Sequence, residues 1–86
     1  MDRNQKFLNK LRQKERSKID EVKGRIMRGD IIGLDIKKLK DTEDLFRARV
    51  GRVRIIYSKK DGFPVEFILI SFRDDNTYKH FRSLVL

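Results

Sequence analysis

The spacing of apolar residues changes once along the chain, from a helical to a strand period. Between Asp2 and Arg28 the spacing is three or four, which predicts helix. A polar run, RQKERSK (12–18), interrupts the pattern without Gly or Pro, so this segment is either one long helix or two helices in a tight hairpin, with Ser17 near the second start. Gly29 is predicted to end the helix. The apolar positions are Phe7, Leu8, Leu11, Ile19, Val22, Ile26 and Met27.

After residue 45 the period becomes two, which predicts strands. LFRARV (45–50) and VRIIYS (53–58) alternate around Gly51 and Arg52, which can form a tight turn. A second turn, KKDG (59–62), precedes PVEFILISF (64–72), whose apolar residues on both faces favour a central strand. Residues 30–44 are predicted to be a charged connector anchored by Leu34, Ile36 and Leu39, and a short helix is predicted from Asp74 or Asp75.

These elements predict an α+β fold in which an N-terminal helical hairpin packs on a small antiparallel sheet and a short helix ends the chain. Residues 1–86 are too few for much more than one core, so a single domain is expected. The alternation predicts that Arg47, Arg49, Arg54 and Arg73 share one exposed concave face. The opposite face would supply core residues beneath the helices: Phe46, Val53, Ile55, Phe67 and Leu69.

The net charge of the chain indicates the chemical class of its partner. The chain has 22 Lys and Arg against 13 Asp and Glu, a net charge of +9, which favours a polyanion such as RNA, DNA, an acidic membrane or an acidic protein. High charge can also serve solubility alone. The absence of cysteine suits a reducing cytoplasm, and FILISF (67–72) is too short to cross a bilayer, so a soluble cytoplasmic protein without membrane association is expected.

The arginines of the strand region have the spacing of an anion site. Arg47 and Arg49 lie about 7 Å apart on one side of a strand, which matches successive phosphates. Arg54 on the next strand and Arg73 at the end of the last can join them, and arginine holds phosphate in a fixed orientation through paired hydrogen bonds. The alternative is that they are ordinary outward residues whose stems cover apolar neighbours.

Other chemistry has weaker support in the sequence. Tyr78 has the ordinary alternative of a core residue with a solvated hydroxyl, and His80 that of a surface or cap residue. A single histidine and no cysteine make a zinc site improbable, so neither a metal nor another cofactor is expected.

Two segments, LKDTEDLFRARVGRVRIIY (39–57) and FILISFRDDNTYK (67–79), resemble the RelE/ParE superfamily of type II toxins. The likeness covers roughly residues 6–82, and its specific part is the arginine-rich hairpin. The family's first strand, which normally precedes the helices, is missing or shortened here. In the RelE branch the resemblance implies a metal-independent endoribonuclease that cuts mRNA in the ribosomal A site, with a cognate acidic antitoxin as partner, as a monomer or a toxin–antitoxin hetero-oligomer.

Residue by residue, the resemblance assigns the paired basic positions to Arg47 and Arg49, the next-strand arginine to Arg54, the arginine after the last strand to Arg73 and the terminal-helix tyrosine to Tyr78. His80 is a second candidate near that tyrosine. The expected catalytic set is therefore Arg54, Arg73, Tyr78 and His80, and the expected RNA-binding set is Arg47, Arg49, Arg52, Lys38 and Lys40.

The chemistry of RNA cleavage fits this inventory. Attack by the 2′-hydroxyl needs a base, positive charge on the phosphorane and an acid for the 5′-oxygen. Arginine supplies the charge, and Tyr78, its phenolate favoured by nearby arginines, is expected to act as base or to orient the hydroxyl. Arginine holds its proton too firmly to be a good acid, so His80 or a ribosomal group is expected to protonate the leaving oxygen while Arg73 neutralises it.

Two other functions remain open at this stage. A ParE-like toxin would share the fold, inhibit DNA gyrase and need no catalytic residues. A non-enzymatic RNA-binding module would need stacking aromatics, which are scarce on the arginine side of the strands.

Overall fold

The computed structural model describes residues 3–73 and has an α+β fold, as the sequence predicts. Two helices precede a four-stranded antiparallel sheet in which the strands lie in chain order. The predicted C-terminal helix, with Tyr78 and His80, lies outside the described residues. No helix within residues 3–73 is long and apolar enough to cross a membrane. The elements are α1 (Arg3–Lys10), α2 (Gln13–Arg28), β1 (Asp35–Lys38), β2 (Leu45–Val50), β3 (Val53–Ser58) and β4 (Glu66–Phe72).

The helical segment breaks once, earlier than the sequence suggests. Arg12 has an extended backbone and caps α2, while Ser17 lies inside that helix. Leu11 is 7% exposed and joins the core at the break, so burying it turns the chain between the two helices. Gly29 ends α2 as predicted, with a positive φ of 79°. Its N–H bonds to the Ile26 carbonyl and that of Asp30 to the Arg25 carbonyl, a Schellman motif.

The predicted connector contains an edge strand that the sequence pattern does not reveal. In β1, Ile36 pairs with Ala48 and is the single apolar residue among four. A strand with one apolar residue and three charged ones has no readable period, which is why residues 30–44 resemble a loop in sequence. The sheet therefore has four strands where the sequence predicts three.

The hairpin between β2 and β3 follows the prediction closely. Val50 pairs with Val53, which leaves Gly51 and Arg52 as a two-residue turn. Gly51 has a φ of 59°, whereas Arg52 does not have a positive φ. A positive φ at the first turn residue alone matches a type II′ turn, whose first position favours glycine.

The pairing of β3 with β4 contains a bulge that overturns one predicted core position. Ile56 pairs with Leu69 and Tyr57 with Phe67, so Ile68 is the extra residue. A bulge shifts the alternation by one residue, and Phe67 and Leu69 therefore lie on opposite faces. Phe67 packs in the helix-side core as predicted, but Leu69 does not.

Each face of the sheet buries its own apolar cluster. The helix-side core combines Leu8, Leu11, Ile19, Val22 and Ile26 with strand residues that include Ala48, Val53, Ile55 and Ile70. The opposite face has a smaller cluster of Leu39, Ile56 and Leu69, against which Leu45 and Ile68 pack. Because this second cluster is buried, the face of the sheet opposite the helices has a packed apolar core of its own.

Candidate functional site

Three arginines meet on the face of the sheet that points away from the helices. Arg49 pairs directly with Arg54 across β2 and β3, and Arg47 pairs with Ile56 one step along. Residues paired directly in adjacent strands project from the same face. The two-residue turn at Gly51 fixes this register, because a slip of one residue would send these side chains to the helix side. We call the surface formed by Arg47, Arg49 and Arg54 the arginine face.

The three arginines differ in exposure, which the sequence does not reveal. Arg49 is exposed and Arg54 is half-buried. Arg47 is only 7% exposed, although it was predicted to lie on an open surface. The guanidinium group of Arg47 therefore lies below the exposed surface of the arginine face. The lower local dielectric constant there strengthens its electric field.

An acidic residue that the sequence analysis did not single out holds two of these arginines. Asp35 on β1 pairs with Arg49 in the sheet. Its carboxylate oxygens lie 3.5 Å from Nη1 of Arg47 and 3.9 Å from Nη1 of Arg49. The buried Nη1 of Arg47 makes no hydrogen bond, so the contact with Asp35 is a loose ion pair. Asp35 therefore compensates part of the buried charge of Arg47 and lies close to the guanidinium groups of both arginines.

The arginine face borders a small basic hollow beside β1. Its volume is about 210 Å³, and we call it the β1 hollow. Two lysines predicted to bind RNA line it, although the alternation along β1 places Lys37 rather than Lys38 on the arginine face. Every charged residue described in its lining is basic, so the hollow is suited to bind an anion. The lining residues are Lys37, Lys38, Leu39, Lys40, Arg47, Arg49 and Arg54.

Arg73 lies at the end of the arginine face, beside the β2–β3 turn. Its backbone N–H donates to the Arg52 carbonyl at 2.8 Å, and its Nη1 donates to the Gly51 carbonyl at 3.2 Å. A second hollow of about 490 Å³, the hairpin hollow, is lined by Arg52, Arg54, Phe72 and Arg73. Because Arg54 lines both hollows, the basic surface is continuous from β1 to Arg73.

The structure gives Arg52 a contact on the other side of the turn. Its guanidinium donates to both carboxylate oxygens of Glu15, at 2.8 and 3.0 Å, and lies 4.7 Å from the ring centre of Phe72. The hydrogen bonds from Arg52 hold the pKa of Glu15 below its ordinary value. Arg52 was predicted to contact RNA, but in the structure its guanidinium group connects the β2–β3 turn to α2.

Two of the predicted catalytic residues, Tyr78 and His80, lie outside residues 3–73. The structure therefore brings together Arg54 and Arg73 from the catalytic set, and Arg47, Arg49, Lys38 and Lys40 from the binding set. The described part of the site can bind an extended anion along its row of guanidinium groups. The buried guanidinium group of Arg47 adds positive charge beneath this row.

Comparison with known proteins gives a structural likeness. No family model matches the chain, and no curated protein sequence matches it. A chain in the crystal structure of the RelB–RelE antitoxin–toxin complex from Methanococcus jannaschii has a similar fold, with a TM-score of 0.73. The two are 23% identical, and the likeness covers 94% of this chain and 95% of the other. It supports the α+β fold of this chain.

Proposed function

We propose that this protein is the toxin of a type II toxin–antitoxin system and cuts mRNA on the ribosome. The observation that carries the proposal is the arginine face, where Arg47, Arg49 and Arg54 meet and lead to Arg73. A row of guanidinium groups of this length suits the phosphates of a single RNA strand. The fold similarity to a chain of an antitoxin–toxin complex supports the same class of protein.

The reaction we propose is a transesterification within the RNA. The 2′-oxygen of one nucleotide attacks the adjacent phosphorus and loses its proton to a base, while the bond from phosphorus to the 5′-oxygen breaks. That oxygen gains a proton, so the products are a 2′,3′-cyclic phosphate and a free 5′-hydroxyl. Arg54 and Arg73 would stabilise the phosphorane, since both line the hairpin hollow. No metal takes part in this scheme.

The proton transfers are assigned to residues that follow β4. We propose Tyr78 as the base, or as the group that orients the 2′-hydroxyl, because an arginine-rich site would favour the phenolate form of a tyrosine that acts there. His80 or a ribosomal group would protonate the leaving oxygen. Arg73 precedes both residues in the chain and is anchored to the hairpin by its bond to the Gly51 carbonyl, so it is suited to neutralise that oxygen.

RNA positioning falls to the exposed part of the arginine face. Arg49 is exposed and would contact phosphate directly, whereas the buried Arg47 would raise the positive potential from below. Lys38 and Lys40 line the β1 hollow and would hold the backbone there. Arg52 would contribute less, because its guanidinium is committed to Glu15.

We further propose an acidic antitoxin as the physiological partner. The net charge of +9 favours rapid association with an acidic segment, and the arginine face is where such a segment would neutralise the nuclease. A ribosomal substrate would place the protein in the cytoplasm.

The association rate with the antitoxin should fall steeply as the salt concentration is raised. A rate independent of salt would assign the contact to an apolar surface, such as the groove between α2 and the hairpin.

Single-turnover cleavage of mRNA on purified ribosomes tests the nuclease. Arg73→Ala should slow cleavage roughly a hundred- to a thousand-fold, the usual loss for one preorganised donor to a developing charge. Tyr78→Phe should slow it at least about a hundred-fold if the hydroxyl is the base. Lys60→Ala, in the β3–β4 turn and outside both hollows, is the matched control and should cleave normally.

The same variants distinguish the competing function in cells. Fragmented mRNA that disappears with Arg73→Ala supports the nuclease. If Arg73→Ala and Tyr78→Phe both keep wild-type cleavage and toxicity, the mechanism is wrong. A DNA-damage response with intact mRNA would instead assign the protein to the gyrase inhibitors.

A further inference from the structure

A second basic surface borders the arginine face at the outer edge of β4. Arg3, Lys6 and Lys10 are exposed and three and four residues apart, so they lie on one side of α1. From Arg3 to Lys10 this row spans eight residues and extends about 10 Å along the helix. The three residues line a hollow of about 350 Å³, which we call the edge hollow. Its other lining residues are Phe7, Leu69, Ile70 and Ser71, so none of the described lining residues is acidic.

The hollow contains a buried polar group without a partner. Ser71 is 5% exposed, and its hydroxyl makes no hydrogen bond to any residue within the described range 3–73. A buried hydroxyl without a hydrogen bond is energetically unfavourable, so such groups are uncommon in the absence of a ligand. A hydroxyl donor between basic side chains is suited to an anionic oxygen.

Ser71 also connects the edge hollow to the arginine face. It pairs directly with Arg54 across β3 and β4, and Arg54 pairs with Arg49 across β2 and β3. The row from Arg49 through Arg54 to Ser71 crosses the sheet in two steps of about 4.8 Å each. A strand of RNA that crosses the arginine face in this direction would arrive at α1.

We propose that the edge hollow binds a phosphodiester of the RNA strand that crosses the arginine face, with Lys6, Lys10 and Ser71 as its main contacts and Arg3 at its outer end. The proposal rests on the proposed function, because the arginine face supplies the neighbouring phosphates. RNA is favoured over an acidic peptide because the hollow continues the row that runs from Arg49 through Arg54 to Ser71 across the sheet, and because Ser71 offers a hydroxyl donor in its lining. The site extends the binding surface beyond the groups assigned to cleavage.

Binding of fluorescently labelled oligouridylate of two lengths tests the proposal. The full chain is titrated with RNA of about four and about twelve nucleotides over a range of salt concentrations. Lys6→Gln with Lys10→Gln should weaken the long RNA roughly ten-fold at low salt and leave the short RNA unchanged. The slope of log affinity against log salt should become shallower by about 1.4, the change expected for two lost contacts to single-stranded phosphates.

The matched control is Lys14→Gln with Lys18→Gln, which removes the same charge at the same spacing on α2, away from the edge hollow. It should leave the slope close to that of the wild type. Ser71→Ala should weaken the long RNA a few-fold while the thermal stability of the free protein is unchanged or raised. If Ser71 had only a structural role, its replacement would not weaken RNA binding while leaving thermal stability unchanged or raised.

The outcomes separate this proposal from the proposed function. If the double variants on α1 and on α2 lose equal affinity for the long RNA, only the overall charge matters. That result would overturn the edge hollow as a binding site. If Arg49→Gln weakens both RNA lengths but the α1 pair weakens neither, RNA binding stands and the edge hollow is wrong. If Arg49→Gln weakens neither length, the arginine face does not bind RNA and both proposals fail. A glutamate peptide that displaces no RNA but binds in a manner dependent on Lys6 and Lys10 would assign the hollow to a protein partner and overturn the RNA site.

Discussion

The side-chain amide of Asn4 bonds to the outer edge of the sheet at Ile70. Its oxygen accepts the Ile70 N–H at 2.9 Å, while its nitrogen donates to the carbonyls of Phe67 and Ile68 at 3.2 and 3.3 Å. An amide side chain has the same donor and acceptor as a peptide group, so Asn4 takes the place of one residue of a neighbouring strand. It does so next to the bulge, where the edge of β4 is least regular.

Replacing Asn4 by Ala should therefore destabilise the protein by about 1–3 kcal/mol, because partly buried backbone groups lose their partners. Urea unfolding measures this change. Asn9→Ala on the same helix is the control, because the bond that Asn9 accepts from Gln5 is exposed. Asn4→Asp should also destabilise the fold, since it turns an oxygen toward two carbonyls. Equal stability of the Asn4→Ala and Asn9→Ala variants would show that the edge contact is unimportant.

The pair between Glu15 and Arg52 predicts a loss of stability in acid. The pKa of Glu15 is lowered from its ordinary value of 4.5 by hydrogen bonds from Arg52. A carboxylate with a lowered folded-state pKa stabilises the fold above its unfolded pKa, and this contribution disappears as pH falls through the folded value. Glu15→Gln should thus have a lower melting temperature than the wild type near neutral pH, and the difference should shrink as the pH falls below the ordinary pKa of 4.5 and through the lowered folded-state value. A difference that does not change with pH would contradict an ionic role for Glu15.

Arg47 and Asp35 should respond differently to substitution. Arg47→Met keeps the buried stem and removes the buried charge, and Asp35, which is 57% exposed, remains solvated. Exchanging a buried charge for a well-packed apolar group is often neutral or stabilising, so we expect no loss in the free energy of unfolding and weaker RNA binding. Asp35→Ala leaves the buried guanidinium without its acid and should destabilise the fold by about 1–3 kcal/mol. Guanidinium unfolding and RNA titration of both variants measure the contrast, and a stability loss in Arg47→Met larger than in Asp35→Ala would refute it.

Leu69 should contribute to stability through the face opposite the helices. It is 4% exposed and packs with Leu39 and Ile56 beneath the arginine face. Leu69→Ala should cost about 2–5 kcal/mol, the usual range for a buried leucine. The control is Ile32→Ala, because Ile32 is 86% exposed and its loss should change stability by less than about 0.5 kcal/mol. Chemical denaturation of the two variants is decisive, since similar small losses would mean that the second cluster is not a core.

The sequence predicts the hairpin and the shared face of its arginines because both depend on local rules. Alternation fixes which residues of β2 and of β3 share a face, and the two-residue turn at Gly51 fixes the register between the strands. The same rules failed at Leu69, because a bulge at Ile68 depends on how β4 fits β3 and not on the spacing of apolar residues in β4 alone.

Long-range contacts explain the remaining differences at the site. Arg47 pairs with Lys37 of β1 and contacts Asp35 on the same strand, but β1 has too few apolar residues to be recognised as a strand. Arg52 turns toward Glu15, which is 37 positions away in the chain, so no local pattern records the pair. Whether an arginine in a strand binds a ligand or holds another element is thus decided by distant segments.

Both outer strands of the sheet carry features that oppose growth by strand addition. β1 is four residues long and presents Lys37 and Lys38, and charged, short edges resist pairing with a further strand. At the other edge Asn4 already occupies the groups at which a new strand would begin to pair. A second copy of the chain would have to displace α1 before it could polymerise edge to edge, so self-association into fibrils is disfavoured while the helix remains docked.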